Sequence, residues 1–160
     1  LQTDATLKTR LRLVMVGEGP LRATAQGILE TAGVADLAWL PGERSDVADI
    51  LRGLHAFALP SLAEGISNTI LEAMASALPV VATAVGRNAD LVHHGVTGVV
   101  VPAANVEAMA RELVRLANDQ ERCLKMGHAG RQRVLDRFSM NAMVSTYQNV
   151  YDSQLRALIP

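Results

Sequence analysis

The sequence predicts a doubly wound α/β fold, a parallel sheet with helices on both faces, followed by a helical C-terminal tail. Three observations predict it. Five short apolar runs, at 11–16, 37–40, 56–59, 79–82 and 98–101, are nearly continuous rather than alternating, as strands covered on both faces are. Helical spacing fills the gaps between the first four, giving β-α-β-α-β-α-β, and a short turn then leads to the last strand. After Pro102 the strand-like runs stop and only helical spacing continues.

The first strand, Leu11 to Val16, ends on Gly17-Glu18-Gly19-Pro20, a strand-to-helix turn. Leu21, Ala25, Ile28, Leu29 and Ala32 form one face of the helix that follows, with Pro20 at a first-turn position and Gly33 just past the end. The second strand, Leu37 to Leu40, leads through Gly42-Glu43-Arg44-Ser45 to a helix faced by Val47, Ile50, Leu51 and Leu54. Ser45 or Asp46 is its cap. Ala56 to Leu59 is the third strand, and Ile70, Leu71, Met74, Ala75 and Leu78 face the helix after it. Pro79 to Ala82 and Gly98 to Val101 complete the sheet. In the tail, residues 105–160, Asn105 caps a helix carrying Val106, Met109, Ala110, Leu113 and Leu116. A second tail helix starts near Gln120, and a third opens at Ser139 with Met140, Met143, Val144, Tyr147, Val150 and Tyr151. The tail is expected to cover one edge or face of the sheet.

Composition narrows the function. The 160 residues suit a single domain, 1–160, and 49% hydrophobic against 19% charged residues exclude a disordered chain. A net charge of −1 gives no basic excess for nucleic acid. The five aromatics, Trp39, Phe57, Phe138, Tyr147 and Tyr151, are too scattered to stack bases. Cys123 stands alone, so it forms no internal disulfide, and a reducing, cytoplasmic location is expected. No apolar run approaches the roughly 18 residues of a membrane span. His55, His93, His94 and His128 lack the spacing of three or four converging ligands, so exposed or capping roles, and no metal, are expected. Leu1 is not Met and a strand-like run begins by Leu11, which suggests a start inside a larger protein.

Two segments carry candidate chemistry. Gly17-Glu18-Gly19-Pro20 sits where backbone amides can meet a nucleotide, although Arg22 stands where a dinucleotide fingerprint needs its third glycine. A plain tight turn is the alternative. The segment 60–72 leaves a strand at its carboxyl end and enters a helix, the place where open α/β sheets put ligands. There Ser67 or Asn68 can cap, leaving the amides of Asn68, Thr69 and Ile70 for a diphosphate. Glu72, about one turn inside, can accept from the two hydroxyls of a ribose. The alternative makes Glu64 a loop charge and Glu72 a solvated helix residue. With eight glutamates in the chain, their spacing by itself does not choose.

The stretch Pro60 to Pro102 resembles the donor-binding half of glycosyltransferase family 4, retaining enzymes of the GT-B fold. The matching text is Leu59-Pro60-Ser61, Glu64-Gly65, Leu71-Glu72-Ala73-Met74-Ala75, Leu78-Pro79-Val80-Val81-Ala82-Thr83 and Gly95-Val96-Thr97-Gly98-Val99-Val100-Val101-Pro102. Val16-Gly17-Glu18-Gly19-Pro20 precedes it, and Met126-Gly127, Arg131 and Phe138-Ser139 follow. The resemblance implies a Rossmann-like sheet, the C-terminal half of a GT-B fold. It also implies that Glu64 contacts the transferred sugar and Glu72 holds the ribose. Main-chain groups of Gly65, Ile66, Ser67, Asn68 and Thr69 would meet sugar and diphosphate. Glu43 and Arg44 would lie in the loop that touches the base, and Gly17 and Gly19 would line the nucleotide side.

The implied reaction moves a sugar from a nucleotide diphosphate to a hydroxyl acceptor with its configuration kept, in glycan, polysaccharide or glycolipid synthesis. The full-length protein would be a hexosyltransferase-like enzyme needing no metal or cofactor beyond its donor. Two departures stand out. Gly86-Arg87-Asn88-Ala89-Asp90 replaces the family's Gly-Gly-x-x-Glu, with Asp90 as a replacement acid. Ala77 replaces a usual glycine, so either Ala takes a left-handed cap at roughly 1 kcal/mol or the turn closes another way. The family's opening strand, with its Gly-Arg-Leu turn and Lys-Gly segment, is absent before Leu11, and so is the acceptor domain. The chain is thus expected to be a fragment, inactive alone. A sugar or lipid-linked acceptor, and any peripheral membrane contact, would go through the missing domain. Other readings are a nucleotide-sugar epimerase or phosphorylase of the same fold, or a non-catalytic nucleotide-binding module. An oxidoreductase would need an acid ending the second strand, where Leu40-Pro41 stands.

Overall fold

The structure of the protein, a computed structural model, describes residues 5–158 and divides into two compact units, Leu1–Asp49 and Ile50–Pro160. The first unit opens with a helix that the sequence does not suggest, α1 (Ala5–Arg10). Its buried side chain is Leu7, and one apolar residue has no period to read. The Leu11 amide returns to the Leu7 carbonyl at 2.8 Å and closes α1, so β1 (Leu13–Val16) begins two residues later than the apolar run. β1 pairs in parallel with β2 (Ala38–Gly42), and the register slips between Val14 and Val16. That irregularity accommodates Pro41, which has no N–H to give, and lets β2 run past the expected end at Leu40.

Between these strands α2 (Arg22–Thr31) starts beyond Pro20, not at it. The Arg22 amide bonds the Gly19 carbonyl at 3.1 Å, a turn that takes up Pro20 and Leu21 before the helix can begin. The C-terminus follows expectation: Gly33 is left-handed, and Val34 and Gly33 donate back to Leu29 and Glu30. The expected inner face is only half right. Ala25, Leu29 and Ala32 are half-buried, but Leu21 is 72% and Ile28 64% exposed, and α2 buries no residue fully.

The boundary between units falls within α3 (Val47–Arg52). In the second unit β3 (Phe57–Leu59), β4 (Val80–Thr83) and β5 (Gly98–Val101) form a parallel sheet with β4 central. Val80, Val81 and Ala82 are wholly buried, as a continuous apolar run in a doubly covered strand should be. Between β3 and β4 runs α4 (Asn68–Ala75), which buries Ile70, Ala73 and Met74. Ala73 is therefore the inward residue where the spacing suggests Ala75, because 70, 73 and 74 keep the i, i+3, i+4 face.

Ala77 resolves the choice left by the missing glycine. Its φ is +59°, with Leu78 donating to the Ala73 carbonyl at 3.0 Å and Ala77 to Met74 at 2.9 Å, so Ala occupies the left-handed cap. Ala77→Gly is expected to stabilise the chain by about 1 kcal/mol, read as a rise in urea midpoint at unchanged slope.

A short helix, α5 (Asn88–Leu91), precedes β5, and the tail comprises α6 (Val106–Asn118), α7 (Gln120–Arg137) and α8 (Met140–Leu158). Each tail helix has a side-chain cap. Asn105 accepts from Ala108, Asp119 from Arg122 and Ser139 from Ala142. Leu116 of α6 and Met126 of α7 close a core with Val81, Val99 and Val101. Cys123 packs there, donating to the Leu116 carbonyl at 3.2 Å, and burial pushes its thiol pKa up. α8 leaves its predicted apolar face uncovered: Met140, Tyr147 and Tyr151 are exposed, as is Val106 of α6. Among the described residues no helix is long and apolar enough to cross a membrane.

Candidate functional site

The carboxyl ends of β3 and β4 carry the loops 60–67 and 84–87. Thr83, the buried last residue of β4, donates to the Ser61 carbonyl at 2.6 Å, with a longer contact of 3.4 Å to the Leu59 carbonyl. It thereby ties the loop after β3 to the neighbouring strand. Ser61 in turn donates through Oγ to Glu64 Oε1 at 2.7 Å, which orients a half-buried carboxylate and leaves its remaining lone pairs open.

Ser67, buried and extended (φ −80°, ψ 109°), is the N-cap of α4. Its Oγ accepts from the Ile70 amide at 3.5 Å and its carbonyl from Leu71 at 3.4 Å. Ile70 is thus withdrawn from the donors expected for a diphosphate, because the capping hydroxyl reaches it first. Asn68 and Thr69, both exposed, keep the open amides of the first turn. Glu72 stands four residues after Asn68, about 6 Å along the axis, exposed, and its carboxylate has no partner among the described residues. Gly65 and Ile66 are exposed between the two acids.

The loop after β4 braces this segment. The Arg87 amide donates to the Gly65 carbonyl at 3.0 Å, and Gly86, at φ +51°, lies so close that an added Cβ would overlap the Glu64 carbonyl. Asn88 is wholly buried and donates to the Thr83 carbonyl at 3.1 Å. Asp90 ion-pairs with Arg87 at 2.6 Å, so the acid in the replacement position is already engaged.

The remaining predicted residues lie in the first unit. Gly17, at φ +128°, donates to the Gly42 carbonyl at 2.8 Å, and Gly19 supplies the carbonyl that starts α2. Glu18 pairs with Arg22, which also donates to the Leu40 carbonyl at 2.7 Å, so the turn holds its own neutralised charge. Arg44 grips Asp46 through Nε and Nη2 at 2.8 and 2.7 Å and lies 5.9 Å from the centre of the Trp39 ring. The pair raises the Arg44 pKa and lowers that of Asp46, whose carboxylate turns to Arg44 although Asp46 directly precedes α3. Glu43 is exposed.

Glu64 to Thr69 and Glu72 therefore share one crossover of the second unit, while Gly17, Gly19, Glu43 and Arg44 belong to the first. Spacing gave no roles for Ser61, Thr83, Gly86 and Asn88, which position Glu64 and its loop. Ser61 and Thr83 do stand inside the motif text, but a hydroxyl hydrogen bond leaves no periodic trace. Of the histidines, His94 accepts the Val100 amide at Nδ1, 3.2 Å, a structural role.

A family model described as glycosyl transferases group 1 matches residues 2–119. Curated relatives include the N-acetyl-alpha-D-glucosaminyl L-malate synthase of Bacillus anthracis, 29% identical over 145 residues, covering 91% of this chain and 38% of the relative. The lipopolysaccharide core biosynthesis mannosyltransferase LpsB of Rhizobium meliloti is 34% identical over 127 residues, 78% of this chain and 36% of its own. Sucrose-phosphate synthase from Thermosynechococcus elongatus superposes with a TM-score of 0.79 at 26% identity, over 91% of this chain and 39% of that one. HepE of Anabaena, solved with UDP-glucose, shares the fold at a TM-score of 0.80 and 20% identity, over 89% and 41%. The chain spans about two fifths of the length of the curated relatives it matches.

Proposed function

From the premise that the chain belongs to the group 1 glycosyltransferases and has the fold of a GT-B C-terminal domain, we propose that it binds the donor in a retaining sugar transfer. Its relatives are glycosyltransferases of polysaccharide and glycolipid synthesis. One observation carries the reading: an oriented carboxylate, the open amides of a helix N-terminus and a partnerless acid one turn further lie on a single crossover. Each suits one part of a nucleotide sugar. Glu64, fixed by Ser61, accepts from hydroxyls of the sugar. The Asn68 and Thr69 amides, at the positive end of α4, stabilise charge developing on the diphosphate. Glu72 accepts from the two ribose hydroxyls.

In the reaction the bond from the anomeric carbon to phosphate breaks and the acceptor oxygen bonds the same face. The acceptor proton passes to the departing phosphate, so no protein nucleophile is needed, and positioning supplies the protein's share of the catalysis. We assign no metal or cofactor beyond the donor, a cytoplasmic setting, and an acceptor, sugar or lipid-linked, held by another domain of a longer protein. The titration of HepE's ligand class is the direct test.

The 160-residue chain is titrated by calorimetry with UDP, GDP, ADP, UDP-glucose and NAD. A nucleoside diphosphate is expected to bind, and Glu72→Ala to weaken it ~10–100-fold, the worth of hydrogen bonds to a charged group. Glu64→Ala is expected to spare the nucleotide and remove the gain contributed by the sugar. Binding of NAD alone, or a Glu72→Ala chain that binds as before, overturns the assignment.

A further inference from the structure

Away from the α4 crossover, the second unit has a cleft of about 410 Å³ between α5 and the C-terminal end of α7. Its charge is one-sided. Arg133 and Arg137 are one turn apart on α7 and Arg87 faces them from the start of α5, with Asp90 as the one acid in the lining. Arg87 is paired with Asp90 at 2.6 Å, so the net charge of +2, with the lining His93 neutral, sits on Arg133 and Arg137.

The guanidiniums are held unequally. Arg133 donates to the Leu91 carbonyl at 2.9 Å and the Asp90 carbonyl at 2.6 Å and lies 5.9 Å from the centre of the Phe138 ring, so its head is fixed. Burial, and then Arg137, lower its pKa, while Asp90 opposes them: the two cations repel each other along the same face of α7. Arg137 is exposed and has neither hydrogen bond nor ion pair among the described residues. Like charges gathered with so little compensation are a disposition that an anion relieves. The cleft also offers carbon surface, with Ile66 61% and Phe138 38% exposed. Its volume exceeds that of a bare ion and suits a phosphate with a ring attached. Its position is informative too. The main chain of Arg87 bonds Gly65, the residue after Glu64, so one wall of the cleft is continuous with the loop given to the transferred sugar.

We propose that this cleft is an anion subsite for the phosphate group of a sugar phosphate, apart from the donor diphosphate assigned to the amides of α4. Arg87 and Arg137 bind the phosphate oxygens, Arg133 presents its free edge as a fixed wall, and Phe138 and Ile66 border the carbon skeleton. The anion site does not rest on the donor reading above.

The test is a backbone-amide NMR titration of the full chain with inorganic phosphate and with glucose 6-phosphate, each with and without saturating UDP. Saturable shifts are expected at 87–93 and 133–138, with the hexose phosphate tighter than phosphate alone. Arg137→Gln, which removes no internal bond, is expected to weaken both ~5–10-fold at unchanged melting temperature, and Arg87→Gln to do likewise. UDP is expected to leave these affinities within about twofold. Competition by UDP, shifts that do not saturate, or unchanged affinity in both variants overturns the proposal while the donor reading stands. Shifts in the cleft with no UDP, GDP or ADP bound anywhere overturn the donor reading and leave the anion site.

Discussion

Gly127→Ala is expected to lower the melting temperature by about 10 °C, whereas Gly27→Ala, the same substitution in α2, raises it slightly. In a helix interior, Ala is favoured over Gly by about 1 kcal/mol, and Gly27 has open space where its Cβ would stand. Gly127 is buried on α7 against the C-terminal end of α4, and an added Cβ would overlap the Ala77 carbonyl. Neither side can yield cheaply, because one is a helix backbone and the other the main chain of a left-handed cap. Overpacking of this kind costs about 3 kcal/mol or more, which outweighs the gain in propensity and decides the sign. Paired thermal melts of the two variants check it. Equal shifts of the same sign would mean that α7 does not approach α4 closely at that point.

Gly86→Ala is expected to reduce affinity for a nucleotide sugar at least ~10-fold while costing less stability than Gly127→Ala. Two effects combine: a left-handed φ of +51°, worth about 1–2 kcal/mol for a residue with a Cβ, and overlap with the Glu64 carbonyl. Relief is available in one direction. The loop 60–67 is exposed over much of its length and is held by Thr83, the Arg87–Gly65 bond and the Ser67 cap, whereas β4 behind Gly86 is wholly buried. The loop therefore moves, and Glu64 and the first turn of α4 move with it. Calorimetry with UDP-glucose beside a urea curve separates the two outcomes. Unchanged affinity would show that the contact of Gly86 with Glu64 does not set the loop.

Much of this architecture was legible because it is written in short-range patterns. The run 79–82 reads as a strand covered on both faces because it is continuously apolar, and Asn105 and Ser139 read as helix starts from their position before an apolar period. The sequence narrows the cap of α4 to Ser67 or Asn68; the structure takes Ser67, and that cap removes the Ile70 amide from the set offered to a ligand. α1 was not legible, since Leu7 alone makes no period, and neither was the late start of α2, which depends on a turn closed between Gly19 and Arg22.

The sequence by itself determined the order of the five strands and of every helix but α1 and α5, the parallel α/β class, the family, and the crossover on which Glu64 and Glu72 sit. The family follows from the resemblance of its motif text, and the rest from local spacing, where a residue's neighbours in the chain are its neighbours in space. Only the tertiary structure decided what covers each apolar face, leaving Leu21, Ile28 and much of α8 open to solvent, and which charges are already engaged, as Arg44 is by Asp46 and Asp90 by Arg87. It alone set Gly86 against Glu64, Gly127 against Ala77, and Arg133 on the carbonyls of α5. The physical reason is that periodicity announces a face to be buried without naming its partner. Close approaches join residues 20 to 50 positions apart, as with Gly86 and Glu64 or Gly127 and Ala77, and only the fold brings such residues together.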